Sequence, residues 1–296
     1  MYKNLSPRAL GITGRQSEII ELALTYSFKG LDVDMVDLAK RVERHGQKHA
    51  FRFIESARLK VGGFELPVRL SAEDADYETD LSRLEPVAQA AAAIGAQRCF
   101  VVLAPASDSL PYHENFELHR KRIAQVAEAL AQHKVSLAVG IRAAAAARKD
   151  RNYEFVCQAE ALVALVKGIG QPNVGMLLDT WNWEVGGGTI DSLREAADAK
   201  IVILRVADLP EDVDLADADE KQRLLPGESG RIDVAAYLAL LTDRGYEGPV
   251  TVFPHPGRFT GMTRDAIVHK AGNALDEQWR TSGLAKAARA TVGAEK

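Results

Sequence analysis

A regular alternation along the chain limits its fold more than any other feature. Eight short apolar runs, rich in β-branched residues, are separated by longer segments in which apolar residues recur every three or four positions. Helices that alternate with strands return the chain to the same edge of a sheet, so the strands lie parallel. The predicted strands are Ala9–Ile12, Gly30–Asp34, Val61–Val68, Arg98–Leu103, Ser136–Ile141, Val174–Leu178, Ile201–Val206 and Val250–Phe253.

Two parallel architectures compete for such a pattern. An open doubly wound sheet would lead one to expect a glycine-rich turn after its first strand, and Gly11-Ile12-Thr13-Gly14 is too short for that fingerprint. Eight strand–helix units in 296 residues instead fit an α/β fold of one domain, the closed (β/α)8 TIM barrel. We assign residues 1–284 to the barrel and residues 285–296, AKAARATVGAEK, to a flexible C-terminal tail.

The charge, the hydropathy and the cysteines of the chain indicate which partners and which compartment to expect. A net charge of -4 gives no reason to expect nucleic acid, and no apolar run reaches the roughly 20 residues that a membrane helix needs. The first residues hold no apolar stretch of the signal-peptide type. Cys99 and Cys157 lie in apolar segments and are predicted to be buried free thiols in a reducing compartment, the cytoplasm. The sequence leaves open whether the chain forms a homo-oligomer.

Three long segments, in order and in register, resemble one family. They are NFELHRKRIAQVAEALAQHKVSLAVGI (Asn115–Ile141), QPNVGMLLDTWNWEVGGGTIDSLREA (Gln171–Ala196) and LLPGESGRIDVAAYLALLTDRGYEGPVTVFPHP (Leu224–Pro256). Together they resemble the xylose isomerase-like TIM barrels, the family of sugar-phosphate isomerases and epimerases. The resemblance implies a TIM barrel whose ligand is a small carbohydrate-like or anionic metabolite.

The resemblance also implies a cofactor site. Active members hold one divalent metal, Mn, Mg or Co, through a Glu, an Asp, a His and a Glu at the ends of the fifth to eighth strands. Such an ion polarises the sugar carbonyl, and the two Glu residues move the proton. In this chain the four positions are Gly140, Asp179, Arg205 and Phe253. Three of the four ligands are replaced, so we expect a degenerate metal site and no cofactor.

Strand alternation indicates what replaces the metal. Gly140 and Arg142 share one face of their strand, and Arg205 shares a face with Ile203. We therefore expect Arg205 to point into the former metal pocket and to pair with Asp179. The candidate substrate-binding residues are Arg142, Asp179, Trp181, Asn182, Arg205 and His255, of which Asp179 and His255 are also the candidates for catalysis.

Four further acidic residues receive narrower predictions. Asp32 and Asp34 share a strand face and are candidates for contacts with sugar hydroxyls or, more readily, for a salt bridge. Asp208 is expected to cap or orient Arg205, and Glu228 to shape a loop over the site. Glu184 follows Trp183 on a loop and is expected to be solvated rather than to reach the pocket.

Two interpretations of the mouth stay open. In the first, arginines form a metal-free pocket, and the protein is an isomerase or epimerase that uses a different base. In the second, the Asp179–Arg205 pair is a relic that plugs an inactive site, with Phe253 filling the hole, and the protein is a pseudoenzyme that senses a metabolite or partners an active paralogue. A zinc endonuclease of the same fold is disfavoured, because such enzymes need a mouth rich in histidines and carboxylates and a basic surface for DNA, which a net charge of -4 does not indicate.

Overall fold

The barrel wall consists of parallel strands in the computed structural model, which describes residues 1–284. Nine strand segments form one sheet in the order β3-β2-β1-β11-β10-β9-β7-β5-β4, and β6 and β8 form a separate antiparallel ribbon. The strands are β1 Tyr2–Leu5, β2 Gly30–Leu31, β3 Lys60–Val61, β4 Phe64–Glu65, β5 Arg98–Val102, β6 Ala106–Ser107, β7 Ser136–Gly140, β8 Tyr153–Glu154, β9 Val174–Asp179, β10 Ile201–Val206 and β11 Pro249–Val252.

One barrel strand is split by a pair of glycines. Only Gly62 and Gly63 separate β3, which pairs with β2, from β4, which pairs with β5. The two segments therefore act as halves of one strand and close an eight-stranded barrel. A Cβ at Gly62 would lie 2.0 Å from Asn4 Oδ1, and one at Gly63 would lie 3.0 Å from Ile203 Cδ1. Glycines at the split thus leave room for side chains from β1 and β10 inside the barrel.

Helices pack around the barrel and bury their apolar faces against it. Asp34, Asp233 and Thr263 each begin a helix by accepting a backbone N–H in its first turn. The helices are α1 Gln16–Thr25, α2 Met35–His45, α3 Gln47–Ala57, α4 Asp74–Ser82, α5 Leu84–Ala93, α6 Tyr112–Ala131, α7 Ala159–Ile169, α8 Thr180–Val185, α9 Ile190–Glu195, α10 Val234–Asp243 and α11 Arg264–Thr281, with short 3-10 turns at Ala145–Ala147, Leu215–Asp217, Glu220–Gln222 and Pro256–Phe259.

The predicted α/β TIM barrel is confirmed, but the first strand is misplaced in the prediction. Residues 9–12 form a turn, in which the Leu10 N–H donates to the Ser6 carbonyl and the Ile12 N–H donates to the Pro7 carbonyl. The strand itself is β1, which lies seven residues earlier in the chain. Burial explains the error, because the apolar side chains of the turn are as enclosed as those of a strand. The predicted tail, residues 285–296, lies outside the described residues.

The middle of the barrel is apolar and its mouth is polar. Ala138, Leu177 and Ile203 pack together inside the barrel, which confirms the predicted facing of Ala138 and Ile203. One step further along β7, β9 and β10 lie Gly140, Asp179 and Arg205. The charged residues therefore stand on an apolar floor at the carboxyl ends of the strands, where TIM barrels carry their active sites.

The two cysteines are free and buried, as predicted. Burial raises the pKa of both thiols above the ordinary value. Within residues 1–284 no helix has the length and apolarity to cross a membrane. The cytoplasmic location and the absence of nucleic-acid and membrane partners stay predictions.

Candidate functional site

Four charged side chains meet at the carboxyl ends of the barrel strands. Asp179 ends β9, Arg205 lies near the end of β10, Asp32 directly follows β2, and Arg223 comes from the loop between β10 and α10. Asp32 is half-buried and the other three are buried. We call Asp32, Asp179, Arg205 and Arg223 the mouth cluster.

Asp179 pairs with Arg223, and the predicted pair with Arg205 is therefore wrong. Arg223 Nη2 donates to Asp179 Oδ2 over 2.5 Å, and the two side chains are 5% and 3% exposed. Asp179 Oδ1 accepts the backbone N–H of Asn182 over 3.0 Å. Arg223 is fixed further because its Nε donates to the Phe253 carbonyl over 2.8 Å. Arg223 and the Asn182 backbone thus provide hydrogen-bond donors for both carboxylate oxygens of Asp179.

Arg205 lies between two aromatic rings. Its guanidinium carbon is 4.4 Å from the ring centroid of Phe100 and 4.2 Å from that of Phe253. Arg205 is 6% exposed, and among residues 1–284 its guanidinium has no hydrogen bond or ion pair to a protein atom. Burial lowers its pKa to about 10, with the charges of Asp179 and Asp32 acting in the opposite direction. It is therefore a cation at neutral pH.

Other arginines at the mouth have carboxylate partners. Arg142 lies at the exposed rim, as predicted, and donates to both oxygens of Glu220 over 2.9 and 2.8 Å. These hydrogen bonds lower the pKa of Glu220 below its ordinary value. Arg8 pairs with Glu65, and Arg223 pairs with Asp179. Of these four mouth guanidiniums, all within the described chain, Arg205 alone has no carboxylate in contact.

Asp32 is held from inside the barrel. Asn4 is completely buried, and its Nδ2 donates to Asp32 Oδ1 over 2.7 Å and to Thr251 Oγ1 over 3.0 Å. Burial raises the pKa of Asp32 above its ordinary value, while the Asn4 hydrogen bond and the charge of Arg205 oppose that shift. Asp34 does not share this face as predicted. Since β2 ends at Leu31, the chain has already turned, and Asp34 is the exposed N-cap of α2.

His255 lies just beyond β11 and begins a 3-10 turn. Its Nδ1 accepts the backbone N–H of Gly257 over 3.2 Å, and its own backbone N–H donates to the Arg223 carbonyl over 3.1 Å. The side chain is half-buried. The histidine therefore supports the backbone that carries Arg223, and its predicted ligand contact stays a prediction.

Trp181 and Asn182 form the support beneath the ion pair. The Trp181 ring is completely buried, and the Arg223 guanidinium carbon lies 4.8 Å from its centroid. The ring therefore offers no exposed face to a ligand, which argues against the predicted contact of Trp181 with substrate. Asn182 Oδ1 accepts the backbone N–H of Ala143 over 3.0 Å. That bond ties the loop after β7 to the start of α8, which carries Asp179 as its N-cap.

Asp208 organises the loop that delivers Arg223 and does not contact Arg205, contrary to the prediction. It is completely buried, and its carboxylate accepts four backbone N–H groups, those of Leu209, Ser229, Gly230 and Ile232. A carboxylate that accepts so many N–H groups fixes the path of the surrounding backbone.

The prediction for Glu228 is confirmed, and the prediction for Glu184 is wrong. Glu228 accepts the backbone N–H of Leu225 over 3.1 Å and pairs with Arg258, which confirms its loop role. Glu184 is half-buried and not solvated as predicted, because it accepts a hydrogen bond from the Tyr237 hydroxyl over 2.8 Å. Burial accordingly raises the pKa of Glu184.

The residues present do not fit a divalent metal. Of the four positions that the family resemblance assigns to ligands, Asp179 alone offers a ligand atom, and both of its oxygens already accept hydrogen bonds. A Cβ at Gly140 would lie 3.2 Å from two atoms of Leu177, so the space of the first ligand is largely filled. Within residues 1–284 no group of three or more His, Cys, Asp or Glu side chains has a metal-binding arrangement.

Comparison with known proteins identifies the family of the chain. Residues 20–272 match the model of the xylose isomerase-like TIM barrel family, and the chain belongs to that family. Among solved structures, a xylose isomerase domain protein from Alicyclobacillus acidocaldarius superposes with a TM-score of 0.85 at 26% identity, covering 95% of this chain and 99% of that one. D-psicose 3-epimerase, solved in the presence of D-fructose, superposes with a TM-score of 0.74 at 16% identity, covering 96% and 100%.

Particular relatives with curated functions match a shorter stretch. Inosose isomerase of Bacillus velezensis is 33% identical over 107 residues, which is 36% of this chain and 38% of that protein. Inosose isomerase of Bacillus subtilis is 32% identical over 112 residues, 38% and 40% respectively. The match thus spans about two fifths of these relatives. The chain is thus a xylose isomerase-like TIM barrel.

Sequence reasoning missed Arg223 and gave Asp32 too little weight. Arg223 directly precedes the segment Leu224–Pro256 that carries the resemblance, so it stood at the edge of the recognised pattern. Its loop is irregular, and alternation along a strand carries no information about such residues. Asp32 could have been singled out as the first acidic residue after an apolar strand, since that position faces the barrel mouth.

Proposed function

We propose that this barrel binds a small hydroxylated carbonyl compound with an anionic group, a sugar acid or sugar phosphate, and handles it without a divalent metal. The observation that carries the proposal is Arg205, a buried cation that has no carboxylate in contact among residues 1–284. A guanidinium presents a planar set of N–H donors that matches carboxylate and phosphate oxygens.

The energetics of Arg205 favour a bound anion. Moving a charge out of water costs several kcal/mol even after the protein relaxes. The faces of Phe100 and Phe253 offset part of that cost, since a desolvated cation–π contact contributes about 2 kcal/mol. Rings provide no hydrogen-bond acceptors for the N–H groups. An anionic ligand supplies those acceptors, and its attraction to Arg205 is strengthened by the low dielectric of the site.

Metal independence follows from the chemistry of the donor set. Arg205 places a fixed positive charge where the resemblance locates the metal, and the surviving carboxylate, Asp179, is already paired with Arg223. A guanidinium can hold an anion or stabilise a developing negative charge, but it needs no ligands of its own.

A non-catalytic binding protein is the second candidate. The observation that favours it is the full engagement of Asp179 by Arg223 and the Asn182 backbone, which removes one predicted acid–base group. In that case the mouth would bind the same anionic ligands and leave them unchanged. Binding and turnover must therefore be measured separately.

Matched ligands test the role of Arg205. Isothermal titration with D-glucuronate, D-glucose 6-phosphate and D-glucose compares a carboxylate, a phosphate and a neutral group on the same sugar. We expect at least one anion to bind about tenfold more tightly than D-glucose, a difference of about 1.4 kcal/mol. The stronger of the two anions identifies the class of ligand.

Two variants make the titration specific. Arg205→Gln is expected to abolish the preference for the anion. Arg8→Gln, which removes an exposed mouth arginine already paired with Glu65, is expected to retain it. If neither anion binds more tightly than D-glucose, or if Arg205→Gln keeps the preference, the proposed function is wrong.

A further inference from the structure

Asp32 resembles Arg205 in having no oppositely charged partner in contact among the described residues. Asp179 pairs with Arg223, Glu220 with Arg142 and Glu65 with Arg8. Among the described residues Asp32 makes no ion pair within 4.0 Å, and its hydrogen-bond donor is the neutral Asn4. Asp32 and Arg205 are thus a carboxylate and a guanidinium of the mouth cluster that have no oppositely charged group in contact among the described residues.

The carboxyl of Asp32 is both oriented and accessible. The amide of Asn4 fixes it from the barrel interior by donating to Oδ1 over 2.7 Å. Asn4 cannot move away easily, because its amide packs against the Cα atoms of Gly62 and Gly30. Asp32 is nevertheless half-buried and not sealed from solvent, and it directly follows β2 at the carboxyl end of the barrel.

Asp32 and Arg205 face the same space. The Asn4 amide that donates to Asp32 Oδ1 also donates to Thr251 Oγ1, and Thr251 is the register partner of Arg205 on the neighbouring strand. Consistent with this placement, the charge of Arg205 lowers the pKa of Asp32, and the charge of Asp32 raises the pKa of Arg205. The other titratable group in the field of Asp32 is Tyr2 on β1, whose pKa Asp32 helps to raise. A ligand anchored by Arg205 is therefore held beside the carboxyl of Asp32.

We infer that Asp32 is the catalytic acid–base group of a metal-independent isomerisation, which rests on the proposed function. The Asp32 carboxylate removes the proton from the hydroxyl-bearing carbon next to the carbonyl. The electron pair of that C–H bond forms a carbon–carbon double bond, and the carbonyl oxygen becomes an enolate oxygen. The nearby Arg205 cation stabilises that negative charge. Asp32 returns the proton to the former carbonyl carbon, and the hydroxyl proton passes to the enolate oxygen.

The number of acid–base groups available at the mouth favours isomerisation between adjacent carbons over epimerisation at one carbon. A transfer between adjacent carbons on one face needs a single base, which removes a proton from one carbon, exchanges it with solvent and delivers a proton to the other carbon. Epimerisation at one carbon needs a second acid on the opposite face. The proposed role assigns that part to no other group, since Asp179, Glu220 and Glu65 are paired with arginines and His255 supports the backbone of Arg223 through its hydrogen bonds. The product is therefore an isomer with the carbonyl moved to the neighbouring carbon, and no oxidant or reductant takes part.

Burial of Asp32 supports this role. The raised pKa makes the carboxylate a stronger base than an exposed aspartate. The group must be ionised to remove the proton. The rate is therefore expected to rise with pH through a pKa above the ordinary aspartate value.

Hydrogen exchange in D2O tests the proposal with the full chain and EDTA present. Proton NMR follows the loss of the signal from the carbon next to the carbonyl of D-glucuronate and D-glucose 6-phosphate, whose open-chain forms carry an aldehyde. Wild-type protein is expected to exchange this proton. Asp32→Asn, which keeps an acceptor for Asn4, is expected to lower the rate about 100-fold or more and to bind either ligand within twofold of wild type.

Asp34→Asn provides the matched control, because it makes the same change two residues away at the exposed cap of α2. It is expected to exchange at the wild-type rate. If the wild-type protein binds a ligand but exchanges no proton, or if Asp32→Asn exchanges normally, the inference is wrong while the proposed function stands. If neither anion binds in preference to D-glucose, the proposed function itself is wrong.

Discussion

The two buried arginines at the mouth, Arg205 and Arg223, differ in whether a carboxylate neutralises them. Arg205 and Arg223 both contact the ring of Phe253, at 4.2 and 5.2 Å from its centroid. Arg223 neutralises Asp179, whereas Arg205 has no carboxylate in contact among the described residues. Arg223 therefore stabilises the fold, and Arg205 is available for a ligand.

This difference predicts opposite effects on stability. Arg223→Met leaves Asp179 buried without a cation, which is expected to lower the free energy of unfolding by about 3–5 kcal/mol. Arg205→Met replaces an unpaired charge by an apolar side chain of similar size and is expected to leave stability unchanged or higher. Urea denaturation of both variants measures the two values. Equal losses would contradict the assignment.

Asp32 predicts a pH dependence of stability. Because its pKa in the folded protein is raised above the unfolded value, the folded state binds more proton in the intervening pH range, and the carboxyl lowers stability as pH rises through that range. Asp32→Asn is therefore expected to be more stable than wild type at pH 7 and equal to it below pH about 3, under the ordinary aspartate pKa. Urea denaturation across this range is the measurement, and an advantage for the variant that persists at the lowest pH would contradict it.

At the scale of elements, the mouth depends on one irregular loop between β10 and α10. This loop carries Arg223, and Asp208 gathers four of the surrounding backbone N–H groups. The loop is thus held by one carboxylate at its base and by one ion pair at the mouth. These hydrogen bonds act together with the buried apolar side chains of Leu209, Leu225 and Ile232, which anchor the loop in the core.

Asp208→Asn tests that arrangement. An amide offers one acceptor oxygen, so some N–H groups lose their partner, at a cost of about 1–3 kcal/mol each. We expect faster amide hydrogen exchange at Ser229, Gly230 and Ile232 and a lower free energy of unfolding. Asp214→Asn, at an exposed 3-10 cap in the same loop, is the control and should change neither quantity. Unchanged exchange in Asp208→Asn would show that the loop is held by other contacts.

The elements also show what the sequence could predict. Alternation located seven barrel strands and correctly turned Arg205 inward, because periodicity follows directly from strand geometry. It misplaced the first strand, since the buried turn Ala9–Ile12 is as apolar as β1. It also assigned Asp179 to the wrong arginine. The partner, Arg223, is 44 residues from Asp179 in an irregular loop, and only the folded loop brings the two together.

At the scale of the whole molecule, the chain combines the family fold with an arginine, Arg205, at a position that the resemblance assigns to a metal ligand. The chain matches the xylose isomerase-like barrels over residues 20–272, yet the positions that the resemblance assigns to metal ligands hold Gly140, Arg205 and Phe253 beside Asp179. The barrel wall and its loops are shared with relatives, and the chemistry depends on a few side chains.

This combination predicts indifference to metal. Dialysis against EDTA is expected to leave the affinity for the preferred anion unchanged, and MnCl2 is expected neither to increase that affinity nor to bind stoichiometrically. Titration calorimetry and elemental analysis of the same samples provide the two measurements. Loss of anion binding after EDTA, with recovery on adding Mn, would contradict the metal-independent proposal.

The split strand has a consequence for how this barrel can change over evolution. Asn4 fills the space that any side chain at position 62 would need, since a Cβ there would lie 2.0 Å from its Oδ1. Neither position can be altered freely while the other is kept. We expect the pair to covary among homologues, with a larger residue at position 62 accompanied by a smaller one at position 4. Because Asn4 also holds Asp32, a redesign of the closing strand would alter the mouth as well.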